Sequence, residues 1–202
     1  MKGPIGIFDS GYGGLTVLKS IQDLMLEYDC LYLGDNARAP YGTRSFEFIN
    51  QYTYEAVEYL FSKNCPLIIL ACNTSSAKAL RNIQQTVLPK KFPDKKVLGV
   101  IRPTTEEIGN YSKSGYIGIM GTAGTVVSNS YPIEIAKFFP NVHVVQQSCP
   151  MWVPLVENNS FNEEGGQYYI QKYIAELLEK EPRIDTIVLA CLLYTSDAAD
   201  DA

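Results

Sequence analysis

The amino-acid sequence predicts an α/β protein: two similar three-layer domains with mostly parallel sheets, facing each other across a cleft. Three observations carry this. Short runs rich in Ile, Leu and Val alternate with longer segments of helical period, as in sheets buried on both faces. Glycine-containing turns sit where the first and fifth runs pass into helical segments. The pattern also echoes itself about halfway along the chain.

Taken in order, residues 4–8 form a continuous apolar run of strand length, and Gly11, Gly13 and Gly14 lead from it into a helical period over 15–26. Strands are then expected at 30–33, 66–71, 96–100, 116–120, 142–146 and 185–190. Helices are expected between them at 44–62, 75–86, 103–111, 126–138 and 165–180. The charged stretch from Pro89 to Lys96 holds two prolines and reads as either a domain linker or a surface loop. As a linker it divides the chain into a first domain, 1–95, and a second, 96–191.

The echo supports that division. Ile5-Gly6-Ile7-Phe8 with Gly11 is answered by Ile117-Gly118-Ile119-Met120 with Gly121 and Gly124. Leu67-Ile68-Ile69-Leu70-Ala71-Cys72 is answered by Thr186-Ile187-Val188-Leu189-Ala190-Cys191. Each half opens on a glycine turn and later carries a cysteine just past an apolar strand.

Composition narrows the function. A chain of 202 residues, 46% hydrophobic and 19% charged, is long enough for one large or two small cores. Its formal charge of −5 supplies no basic field, so nucleic acid is a poor partner. No signal peptide or membrane-length apolar stretch is present, which predicts a cytoplasmic location and no membrane partner. The five cysteines are widely spaced with no C-x-x-C pair, against a disulfide framework or a zinc site, and no metal is expected.

In open α/β sheets ligands bind beyond the carboxyl ends of the strands. Asp9-Ser10-Gly11-Tyr12-Gly13-Gly14, Gly34-Asp35-Asn36, Cys72-Asn73-Thr74 and Gly121-Thr122-Ala123-Gly124-Thr125 all fall there. The glycines do not match a dinucleotide or P-loop spacing and read as a tight turn. Cys72 sits where a helix N-terminus favours a thiolate, although an inert buried cysteine is the common alternative. Cys191 in the matching place favours chemistry. Two thiols across a cleft suit removal of a proton from one face of a carbon and return to the other. No cofactor motif accompanies them, and a pyridoxal Schiff base on a lysine stays open. The single histidine, His143, lies in a strand-like run and reads as structural rather than as part of a hydrolase triad.

The segments Ile5 to Leu15, Tyr32 to Ser45 (with Pro40-Tyr41-Gly42) and Ala71 to Ala77 resemble, in order, the motifs of bacterial glutamate racemase. Gly121 to Thr125 and Pro154-Leu155-Val156-Glu157 continue the likeness, which covers about residues 3 to 191. The resemblance implies a cofactor-independent, two-domain enzyme that makes D-glutamate for peptidoglycan, with Cys72 and Cys191 as acid/base thiols. It further implies that Asp9, Ser10, Pro40, Tyr41, Gly42, Asn73, Thr74 and Thr125 line the glutamate site, with Asp35 and Glu157 as auxiliary polar residues. Residue by residue, Asp9 and Asn73 also suit helix capping, Pro40-Tyr41-Gly42 a turn, and Glu157 a solvated position. Homodimerisation is a further expectation. Two rivals stay open: a superfamily racemase or decarboxylase acting on aspartate, a hydantoin or a malonate, and a non-catalytic ligand-binding protein.

The likeness breaks after Cys191. In the family the second cysteine is followed by Thr-His-Tyr-Pro and a segment that completes the first domain; here the chain reads Leu192-Leu193-Tyr194-Thr195-Ser196-Asp197 and ends at Ala202. Residues 192–202 turn to small and acidic types and, with Cys191, resemble an in-frame translation of a sequencing-library adapter. The expectation is a truncated chain with a non-native tail at 192–202, weak or inactive by itself.

Overall fold

A computed structural model describes residues 3–191; the tail expected at 192–202 lies outside them. Among the described residues, seven parallel strands form two sheets. The strands are β1 (Ile5–Asp9), β2 (Cys30–Gly34), β3 (Leu67–Leu70), β4 (Lys96–Gly99), β5 (Tyr116–Gly121), β6 (His143–Ser148) and β7 (Thr186–Leu189). The first sheet has the order β2-β1-β3-β4 and the second β6-β5-β7. All seven runs expected from the sequence are strands, with ends within two residues.

The helices are α1 (Gly14–Leu24), α2 (Phe46–Ser62), α3 (Asn73–Lys78), α4 (Leu80–Asn82), α5 (Leu88–Lys91), α6 (Ile101–Glu107), α7 (Ala123–Ser128), α8 (Ser130–Phe138), α9 (Trp152–Glu157) and α10 (Glu164–Lys180). They cover both faces of each sheet, which gives two three-layer units. On one face of the first sheet Phe8, Ile68, Leu70 and Val97 pack with Ile49, Val57 and Leu60 of α2 and with Ile83. On the other, Ile5 and Ile7 meet Val17, Leu18 and Ile21 of α1. In the second unit Ile117, Ile119 and Val188 face Ile101, Tyr131 and Ile135, while Met120 faces Trp152, Tyr173 and Leu177. Each fully buried side chain of this size contributes roughly 1.5–3 kcal/mol of apolar burial. Among the described residues, no helix is long and apolar enough to cross a membrane.

Three expectations need correction. Lys96–Gly99 pairs with β3 in the first sheet, so the crossing between sheets falls at Val100, not at the 95/96 division. The proline-bearing stretch is not a linker: the helical path begun at Asn73 continues through a π-helical turn, Ile83–Val87, into α5, whose first turn holds Pro89. Proline lacks an N–H and crowds the preceding turn, and a widened turn accommodates both defects. The helix expected over 126–138 is two helices, because Asn129 takes a left-handed conformation at φ 55°. The short α9, with Pro154 in its first turn, was not anticipated.

Asp185 ties the start of β7 to the loop before β5. Its carboxylate accepts from the Ser112 hydroxyl at 2.6 Å and from the N–H groups of Lys113 and Ser114 at 2.8 and 2.7 Å. These bonds hold its pKa well below the usual carboxylate range. A depressed carboxylate stabilises the fold above its unfolded pKa of about 3.9 and loses that contribution as pH falls through the folded value. Asp185→Ala is therefore expected to lower the melting midpoint at neutral pH, with the deficit shrinking as the solution is acidified below about pH 4. Calorimetric scans across pH check this, and a deficit independent of pH would contradict it.

Candidate active site

The carboxyl ends of β1, β3, β5 and β7 meet around one cavity of about 320 Å³. Its walls come from both units: Asp9 to Gly13 after β1, Pro40-Tyr41-Gly42, Ala71 to Thr74 after β3, Thr122 after β5, Val153, Val156 and Glu157 of α9, and Ala190 with Cys191 after β7.

Asp9 is held by the turn that follows it. Its Oδ2 accepts the N–H groups of Gly11 and Gly14, each at 3.1 Å, so it both faces the cavity and caps the start of α1. A Cβ at Gly14 would stand 2.6 Å from that of Asp9 and 3.0 Å from that of Ala71, so only glycine lets α1 begin this close. Burial raises the Asp9 pKa, against the opposing pull of its N–H donors. Glu157 is also raised, by burial and then by the Asp9 charge.

Cys72 caps α3: its Sγ accepts the Ser75 N–H at 3.4 Å and lies 3.4 Å from Ser10 Oγ. The helix terminus thus contributes as expected, but it does not prevail. Burial first and the Asp9 charge second raise the Cys72 pKa over the opposing bonds from Ser10 and Ser75. Cys191, also buried, is pushed up to about 12 by burial and by Cys72, Asp9, Cys149 and Glu157. Burial and neighbouring charges thus favour the protonated form of both thiols near neutral pH.

Ten of the twelve residues expected at the site line this cavity: Asp9, Ser10, Pro40, Tyr41, Gly42, Cys72, Asn73, Thr74, Glu157 and Cys191. Two do not. Thr125 is fully buried, its Oγ1 3.2 Å from Thr122 Oγ1, and Thr122 takes the place at the wall. Asp35 lies outside the wall and acts on the loop: it accepts from the Tyr41 hydroxyl at 2.5 Å and from Arg38 Nε at 2.6 Å. Val153, Val156 and Ala190 were missed, for apolar residues carry no chemical signal in a sequence. His143 is exposed at the start of β6, stacked on Tyr116 and at the opposite end of that strand from the cavity.

The two units are joined beside the cavity. Thr74 Oγ1 and Thr122 Oγ1 are 3.0 Å apart, and Gly124 N–H donates to Gly42 O at 3.0 Å. Tyr131 OH donates to Asn73 Oδ1 at 2.7 Å, and Ser130 Oγ to Ala77 O at 3.1 Å.

No family model matches the chain. It is, however, 41% identical over 190 residues to a glutamate racemase of Geobacter metallireducens, an alignment covering 94% of this chain and 67% of that relative. The fold superposes on a glutamate racemase isoform of Bacillus anthracis with a TM-score of 0.86 and 32% identity, covering 96% of this chain and 70% of that one. The Francisella tularensis glutamate racemase, solved with D-glutamate, gives 0.83 and 31%, covering 95% and 69%. Two α/β units sharing one cavity that holds two cysteines, together with these relatives, define an amino-acid racemase, an isomerase. Within that class, the chain belongs to the glutamate racemase family, whose members interconvert the two enantiomers of glutamate.

Proposed function

We propose that racemisation runs on the two cavity thiols, without a cofactor, and supplies D-glutamate for peptidoglycan in the cytoplasm. The observation that carries this reading is that Cys72 and Cys191, from equivalent strand ends of the two units, line the same cavity. One cysteine, as thiolate, takes the Cα proton of glutamate, and the electron pair left on Cα is held as a planar carbanion conjugated with the carboxylate. The other cysteine gives its S–H proton to the opposite face, so the pair ends with its protonation states exchanged. Ser10, Asn73 and Thr74 offer hydrogen bonds to the polar ends of the amino acid, and Asp9 and Glu157 face its ammonium group. That cation would offset the Asp9 charge that, after burial, raises the Cys72 pKa.

Incubation of the protein with L-glutamate in deuterium oxide tests the reading. Whatever D-glutamate this chain forms is expected to carry deuterium at Cα; inversion without solvent deuterium would refute the reading. Because the thiolate is the base and both thiols are raised, kcat/KM should climb with pH and keep climbing above about pH 8.5, the ordinary thiol value. A plateau already reached at pH 7 would exclude the raised thiols as bases.

A further inference from the structure

Tyr131 belongs to the second unit and is 2% exposed, with its ring packed among Ile117, Ile119 and Ile135. Its hydroxyl leaves that apolar cluster to donate to Asn73 Oδ1 at 2.7 Å, across the junction of the two units. Asn73 lines the cavity next to Cys72, and its Nδ2 has no hydrogen-bond partner among the described residues. An asparagine amide has two faces of opposite polarity, and a neighbour that bonds one face decides which the ligand meets. We propose that Tyr131 is a positioning residue: by donating to Asn73 Oδ1 it turns the amide NH₂ into the cavity, where it binds a carboxylate of the amino-acid substrate.

The carboxylate assignment rests on the racemase reading, but the latch itself does not. Burial raises the phenol pKa, so Tyr131 keeps its proton at every working pH, and Asn73 Oδ1 is the only acceptor for that proton among the described residues. A free amide with no such neighbour would present either polarity and would bind the ammonium and carboxylate groups of an amino acid with little preference. The same bond ties Asn73 to the unit that carries Cys191, so substrate binding and closure of the two halves share one side chain.

The test is Tyr131→Phe, which keeps the ring and removes only the hydroxyl, made in wild-type and Asn73→Ala backgrounds. Glutamate affinity is read by titration of isotope-labelled protein, along with the Asn73 side-chain amide resonances, assigned by their loss in Asn73→Ala. In the wild-type background the dissociation constant should rise about tenfold, with the Asn73 amide resonances shifted before ligand is added. In the Asn73→Ala background Tyr131→Phe should weaken binding no further. Equal losses in both backgrounds would show that Tyr131 merely packs, and an unmoved Asn73 amide would overturn the latch. If the wild-type protein ignores glutamate altogether, the racemase reading fails, while the amide resonances still decide whether Tyr131 orients Asn73.

Discussion

Cys72→Ser is expected to abolish net racemisation in both directions, by at least about a thousandfold in kcat. Inversion needs a base on one face and an acid on the other, and serine cannot serve as that base near neutral pH. The packing cost is small, because the two contacts of Sγ, with the Ser75 N–H and with Ser10 Oγ, are ones a hydroxyl oxygen can also make. Circular dichroism and thermal melting should therefore match the wild type while polarimetry shows no turnover. Retention of more than about a tenth of the activity would sink the two-thiol mechanism.

Gly42→Ala is expected to cost about a hundredfold or more in kcat/KM with a moderate loss of stability, about 1–3 kcal/mol. A Cβ at Gly42 would stand 2.7 Å from both Cβ and Cγ2 of Thr122. Thr122 is β-branched, caps α7 through the Thr125 N–H and holds Thr74 Oγ1 at 3.0 Å, so it has no room to turn away. The loop bearing Pro40 and Tyr41 must withdraw instead, breaking the Gly124 N–H bond to Gly42 O and opening the wall between the units. Steady-state kinetics and denaturant unfolding measure the two effects separately. Gly165→Ala is the control, since nothing lies within 4 Å of a Cβ there. Comparable kinetic losses in the two variants would show that crowding at Thr122 is not the cause.

Strand positions were legible because buried parallel strands are continuous apolar runs: Leu67–Leu70 and Thr186–Leu189 stand out from their polar flanks. Helix interruptions were not, since Asn129 and the π-helical turn before Pro89 are backbone choices that leave no periodic trace. The 95/96 division failed because charge and proline mark exposed turns, whereas sheet membership depends on pairing: Lys96 pairs with Leu67, far back in the chain. At the site, motif order located the strand ends well. The choice between Thr122 and Thr125 depended on helix phase, which puts the first at the wall and the second beneath it. Asp35 shows the converse limit. Its place in the motif was plain, but only the bonds to Tyr41 and Arg38 reveal that it holds the loop rather than facing the cavity.

The shared order of the sheets, β2-β1-β3 in one unit and β6-β5-β7 in the other, has a thermodynamic counterpart. L- and D-glutamate have equal free energies in achiral water, so the equilibrium constant is one and kcat/KM must be identical in the two directions. The units are alike in topology but not in polar equipment: Asp9 closes β1, whereas Gly121 closes β5. Any preference that this asymmetry creates for binding one enantiomer must be returned in full as a slower turnover of that enantiomer.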